Sequence, residues 1–193
     1  MLSKPDLKCL IIVFFAASLL YGCATVSHST SMDPYAFNYV APADTRHYVM
    51  MNDSSIVYGK KVVGWSLGAF SKKNLHIDGR PVNASEILGF QNKEGFWAKL
   101  EDDALARRLI TGRISVYRRF IELSNGARVG RIYFQKNAGP IREISGKEEL
   151  KRMMQECPKA FDMLNISGEE YAKILKKEPY YLQSVIEIYN KCL

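Results

Sequence analysis

The sequence predicts an α+β fold: an antiparallel β-meander or sheet followed by a C-terminal helical subdomain. Three observations predict it. Between 45 and 144, short β-prone runs are punctuated by glycines at close intervals. Within that half, Ser124-Asn125-Gly126-Ala127 separates two β-prone runs, 113–123 and 128–136, and Asn-Gly tolerates the positive φ of a tight hairpin. After 145 the apolar spacing becomes three and four residues, as in Leu150, Met153, Met154 and Cys157.

At the N-terminus, Lys4 and Lys8 precede an apolar run, Leu10 to Leu20, that ends in Leu20-Tyr21-Gly22-Cys23. A basic start, a short apolar run and small residues before a cut describe a secretory signal peptide. The run falls short of the roughly 20 residues that span a bilayer core. With Cys at the cut, the segment resembles the signal of bacterial lipoproteins, whose mature chain starts at a lipid-modified Cys. Leu20 and Gly22 match that motif, and Tyr21 stands where a small residue is usual. The resemblance covers residues 1–23. It implies a signal peptide over 1–22, lipidation of Cys23, and a protein of the cell envelope held to a membrane by its N-terminal lipid. Ala24 after the Cys, in place of Asp, implies the outer membrane. If the apolar run is counted through Ala24 and Val26, an uncleaved anchor results, and the body still lies outside the cytoplasm. Beyond residue 23 the chain is similar to small secreted lipoproteins in its make-up, without a further motif.

Residues 23–44 read as the lipidated N-terminus and a flexible tether. Residues 24–31 are small and polar, and Pro34 and Pro42 discourage regular structure. Tyr35, Phe37 and Tyr39 alternate, which fits a short edge strand.

Residues 45–144 read as the β-rich domain. Runs 47–51, 56–58 and 61–65 are β-prone. Runs 86–91 and 96–100 flank Asn92-Lys93-Glu94-Gly95, a hairpin loop with Gly late in the turn. Residues 102–111 fit either a helical turn or a strand. In the 113–136 hairpin a two-residue Asn-Gly turn sets Leu123 opposite Arg128, Ile121 opposite Gly130, Arg119 opposite Ile132 and Tyr117 opposite Phe134. The core face is then Leu123, Ile121, Ile132, Tyr117 and Phe134. Arg119 is a misfit on it, relieved by a bulge near 118–119. Arg118 is expected across from Tyr133, within reach of a cation–π contact.

Residues 145–193 read as the helical subdomain. Ser145-Gly146-Lys147-Glu148 and Ser167-Gly168-Glu169-Glu170 have the form of capping boxes. Tyr171, Ile174 and Leu175, then Leu182, Val185, Ile186 and Tyr189, continue the helical stripe. Pro158 and Pro179 suit the first turns of following helices.

The chain has 193 residues, 47% of them hydrophobic and 24% charged, which allows one domain with a real core. The net charge of +7 suits anionic lipid headgroups or acidic polymers, but it reads first as the moderate charge of an ordinary soluble body. Of four Cys, Cys9 leaves with the signal and Cys23 takes the lipid. Cys157 and Cys192 remain, and the spacing fits a disulfide as well as two separate buried thiols.

Little in the sequence points to catalysis. Gly64-Trp65-Ser66-Leu67-Gly68 has the form of a nucleophile elbow, which would make Ser66 the nucleophile of a serine hydrolase. No helical stripe follows it, and the later acid and His are in the wrong order. His28, His47 and His76 are too scattered for a metal site, and no phosphate-cradling glycine motif occurs, so no cofactor is expected. The Arg- and aromatic-rich hairpin supplies a candidate ligand face, Arg118, Arg131 and Tyr133, for an anionic envelope polymer. An export signal removes nucleic acid as its partner. The expectation is a non-enzymatic interaction or structural lipoprotein that docks an envelope protein or glycan. The alternatives are an anionic-polymer binder and a hydrolase acting through Ser66.

Overall fold

β-Branched and aromatic residues recur through the runs between His47 and Lys136, and the described residues there form ten strands. The computed structural model describes residues 37, 39, 45–63, 74–124 and 126–192. The signal segment, Cys23 and the Ser66 elbow lie outside the described residues.

The strands are β1 (His47–Met51), β2 (Ile56–Gly59), β3 (Val62–Val63), β4 (Asn74–Ile77), β5 (Arg80–Asn83), β6 (Ile87–Asn92), β7 (Gly95–Lys99), β8 (Leu105–Ile110), β9 (Ile114–Glu122) and β10 (Arg128–Lys136). A 7-stranded antiparallel sheet has the order β10-β9-β8-β7-β6-β1-β2, and a 3-stranded sheet has the order β3-β4-β5. Strands β6 to β10 form a meander, and β6 returns to pair with β1 after the chain has passed through the small sheet.

Local chemistry explains that excursion. Asp78 and Gly79 both take positive φ, 51° and 82°, and join β4 to β5 as a two-residue turn of the I′ kind. The Asp78 carboxylate accepts the amides of Lys60 and Lys61 at 3.2 and 2.9 Å. It thereby fastens the corner where the chain leaves the large sheet. Gly59 is needed at that corner, since a Cβ there would lie 2.5 Å from Ile77 Cγ1.

Four helices follow: α1 (Lys147–Met153), α2 (Pro158–Leu164), α3 (Gly168–Lys177) and α4 (Tyr181–Asn190). Leu150, Met154, Cys157, Ala160, Leu164, Tyr171, Leu182, Val185, Ile186 and Tyr189 are buried against Ile114, Val116, Ile132 and Phe134 of the sheet. Leaving such side chains in water would cost about 1.5–3 kcal/mol each, so this shared core fixes the helices to the sheet. The small sheet covers the same face further along, with Val62, Leu75 and Ile77 against Val49, Ile87 and Phe90. Among the described residues no helix is long and apolar enough to cross a membrane.

Polar sutures close the helix–sheet seam. Asn190 donates to Ile114 O at 3.0 Å and accepts from Ile114 N at 2.8 Å. Glu156 gathers Arg113, Lys136 and Tyr189 around one carboxylate, with Lys136 Nζ at 2.8 Å. Cys157 and Cys192 are joined by a disulfide with a Cα separation of 5.9 Å.

Several expectations need correction. The 113–136 hairpin is offset by one residue: Tyr117 is opposite Tyr133, Val116 opposite Phe134, and Arg119 opposite Arg131. Leu123 N donates to Ala127 O at 2.8 Å, so three residues rather than two fill the loop, and Gly126 takes φ 78°. A one-residue slip exchanges faces. The buried hairpin face under the helices is therefore Ile114, Val116, Ile132 and Phe134. Arg119 is no misfit, since it lies on the other face, and β9 pairs with β10 without a bulge.

Residues 105–110 settle as a strand. Phe37 is buried in the helical core and the Tyr39 ring lies 3.8 Å from the Arg107 guanidinium, so the 23–44 segment is not a tether at these two positions. The 45–144 and 145–193 segments share one core. The Ser167 half of the second capping box forms, with Ser167 Oγ accepting from Glu170 N at 3.1 Å. In the first, Glu149 rather than Glu148 reaches back to Ser145, because Gly146 is the N-cap and sets the helix one residue later.

Candidate ligand-binding face

The face of the large sheet away from the helices carries a row of side chains that crosses all seven strands. Register defines it step by step. Tyr58 is opposite Tyr48, Tyr48 opposite Gln91, and Gln91 opposite Phe96. Extending the Trp97–Arg107 pairing by one residue sets Phe96 beside Arg108. Arg108 is opposite Tyr117, and Tyr117 opposite Tyr133. The row thus reads Tyr58, Tyr48, Gln91, Phe96, Arg108, Tyr117, Tyr133. Paired residues on adjacent strands point to one face, so these side chains form a single ladder.

The members touch one another. The Tyr48 and Tyr58 rings meet edge to face with centroids 5.9 Å apart, and Tyr48 and Phe96 are 6.2 Å apart. Arg46 lies over Tyr58 at 4.9 Å, and Arg108 lies over Phe96 at 4.3 Å. Tyr48 Oη donates to Gln91 at 3.3 Å, and Tyr117 Oη donates to Gln135 at 2.6 Å. Burial pushes the Tyr117 phenol up, and the Arg108 charge beside it works in the opposite direction.

The next row explains why the ladder packs closely. Met50, Gly89, Ala98 and Ala106 are its central members. Gly89, Ala98 and Ala106 leave room beside the ladder, and a Cβ on Gly89 would lie 2.9 Å from Phe96 Cζ. Gln91, Phe96 and Tyr117 are buried, while Tyr48, Arg108 and Tyr133 are half-buried and Tyr58 is exposed. Where the ladder ends at Tyr133, a cavity of about 240 Å³ is lined by Leu100, Asp102, Arg119, Tyr133, Ile141 and Glu143.

The expected ligand face is only partly assembled. Arg131 and Tyr133 share the ladder face, but Arg118 pairs with Ile132 and stands on the opposite face. Its neighbour there is Arg107, with Trp97 beyond. The Arg118–Tyr133 contact therefore does not form. Arg131 is ion-paired with Glu143 at 3.2 Å, and Arg119 with Asp102. Arg108 has no carboxylate partner among the described residues. That makes it the cation of this face best placed to meet an anionic group.

Other candidates have structural partners. His47 Nδ1 accepts from Val62 N at 3.1 Å, which ties β1 to β3. His76 is a strand residue opposite Pro81. No group of three potential metal ligands occurs among the described residues. Sequence reading missed Tyr48, Phe96 and Arg108, since alternation along one strand does not reveal which residues align across seven. Comparison with protein-family models, curated proteins and solved structures finds no match to this chain.

Proposed function

We propose that this is a lipid-anchored, non-enzymatic binding protein of the cell envelope that presents the ladder face to an envelope glycan. The members of the cross-strand row that reach the surface, Tyr58, Tyr48, Arg108 and Tyr133, carry the reading, with Gln91, Phe96 and Tyr117 buried between them as their support. Sugar rings and aromatic rings associate through apolar faces, and Tyr adds a hydroxyl that can hydrogen-bond. Arg108 supplies one charge for a carboxylate or phosphate on the same polymer. The ion pairs of Arg119 and Arg131 favour ring stacking over a purely electrostatic interaction. Placement at the outer membrane rests on the lipoprotein-like signal ending at Cys23.

Co-sedimentation of the lipidated protein with purified envelope glycan tests the binding. Tyr48→Ala with Tyr58→Ala should abolish retention, and Arg108→Ala should weaken it for anionic polymer alone. Retention that disappears in moderate salt, and survives loss of both tyrosines, would favour the anionic-polymer alternative. For the anchor, Cys23→Ala should release the protein from membranes or halt its processing. An unchanged membrane fraction and precursor size would refute lipidation.

A further inference from the structure

The two edges of the large sheet are built differently. At β10 the edge is occupied at Phe134, which exchanges backbone hydrogen bonds with Arg142 at 2.9 and 3.0 Å. Arg128 and Arg131 also put charge into that strand. At β2 the strand is Ile56-Val57-Tyr58-Gly59, with no charge inside it. Its side chains are unusually bare: Ile56 is 43% exposed, Val57 45% and Tyr58 53%. Natural edge strands generally carry a charge, a proline or a covering element to prevent pairing.

Backbone direction matters here. Met51 N donates to Ser55 O at 2.9 Å, and Val49 is opposite Val57. Ser55, Val57 and Gly59 therefore turn their backbone groups toward β1. Alternation then directs the N–H and C=O of Ile56 and Tyr58 out of the sheet. The flanks are of opposite sign, with Asp53 before the strand and Lys60 and Lys61 after it.

We propose that the β2 edge pairs with the β2 edge of a second copy of this chain, antiparallel and centred on Val57. That register sets Ile56 opposite Tyr58 of the second copy, so the outward backbone groups satisfy one another. It brings the β1–β2 turn of one copy, which carries Asp53, toward the Lys60–Lys61 end of the other, and the two-fold axis repeats that approach at the other end. An acid–apolar–base order is complementary to itself only when antiparallel, which is the requirement of an isologous interface. The ladder faces of both copies then point the same way, and Tyr58 lies beside Ile56 of the second copy. A doubled glycan-binding face follows where the proposed function holds; the pairing itself does not depend on it.

Cross-linking of the intact protein in membranes tests the register without any ligand. Val57 residues at the axis form a non-hydrogen-bonded pair with Cβ atoms about 5 Å apart, so Val57→Cys should give a disulfide dimer under mild oxidation. Ser55→Cys places the two thiols roughly 13 Å apart along the strands and should give little. Ile56→Pro removes an outward N–H and leaves the β1 pairing intact. Added to Val57→Cys, it should cut the dimer roughly tenfold, because the two-fold interface loses one hydrogen bond from each copy. Sedimentation equilibrium of the unsubstituted protein should show reversible dimerisation that Ile56→Pro removes. Equal yields at 55 and 57, an adduct with a different protein, or a monomer at all concentrations would each overturn the proposal.

Discussion

The Arg108 guanidinium lies over the Phe96 ring, 4.3 Å from its centroid, on the adjacent strand of the same face. Beneath Phe96 is Gly89, whose missing side chain is what lets the ring lie down on the sheet. A backbone requirement in β6 thus sets the height of an aromatic in β7, which in turn carries the cation of β8. The three residues separate stability from binding, and substitutions should show this.

Phe96→Ala and Arg108→Ala should differ sharply. Phe96 is buried, and its removal should cost about 3–5 kcal/mol through lost burial and the cavity left behind. Arg108 is half-buried and holds the ring from above, so Arg108→Ala should cost only about 0.5–1 kcal/mol. Urea unfolding of both variants measures the contrast. Comparable losses would mean that Arg108 is part of the core and not of the binding face.

Gly89→Ala should destabilise although it adds a single methyl group. The new Cβ would collide with the Trp97 carbonyl oxygen as well as the Phe96 ring, and a backbone atom in a sheet interior cannot move aside cheaply. Overpacking of this kind costs roughly 1–3 kcal/mol. Gly168→Ala is the control, because nothing lies within 4 Å of a Cβ there. Its thermal midpoint should match or exceed that of the parent, while that of Gly89→Ala should fall.

Cys157 and Cys192 are 35 residues apart in sequence. Closing a loop of that length lowers unfolded-state entropy by an amount worth about 3–4 kcal/mol. Cys157→Ala with Cys192→Ala should lose most of it, and a reducing agent should bring the parent protein to the same unfolding midpoint. If reduction leaves the midpoint unchanged, the disulfide contributes little.

The fold was legible where local chemistry decides it. The helical stripe from Leu150 to Cys157, the Ser167 cap and the strand runs at 47–51, 56–58, 86–91, 96–100 and 113–136 follow from local spacing, whereas β4, β5 and β8 did not stand out. The hairpin register was not legible, because Ser124-Asn125-Gly126-Ala127 suits a two-residue or a three-residue loop equally well. One residue of loop length decided whether Tyr117 faced Phe134 or Tyr133. The ladder depended on this, since Arg108 meets its neighbours only through strand order and register. Glu156 was hidden for a similar reason: its partners lie 20 to 43 positions away in the chain.

Glu156 should make the helix–sheet seam sensitive to acid. The Lys136 ammonium and then the Tyr189 hydroxyl hydrogen-bond its carboxylate and hold it below the usual carboxylate range. A carboxyl whose folded value is depressed contributes stability above the unfolded value, near 4.3. That contribution is lost as pH falls through the lower, folded value. Glu156→Gln should therefore be less stable than the parent at pH 7, and the difference should shrink steadily below about pH 4. The mostly exposed position of Glu156 means that salt should also reduce the difference. Urea midpoints for both proteins between pH 3 and 7 would reveal it. A constant difference across that range would assign the effect to hydrogen-bond geometry and not to charge.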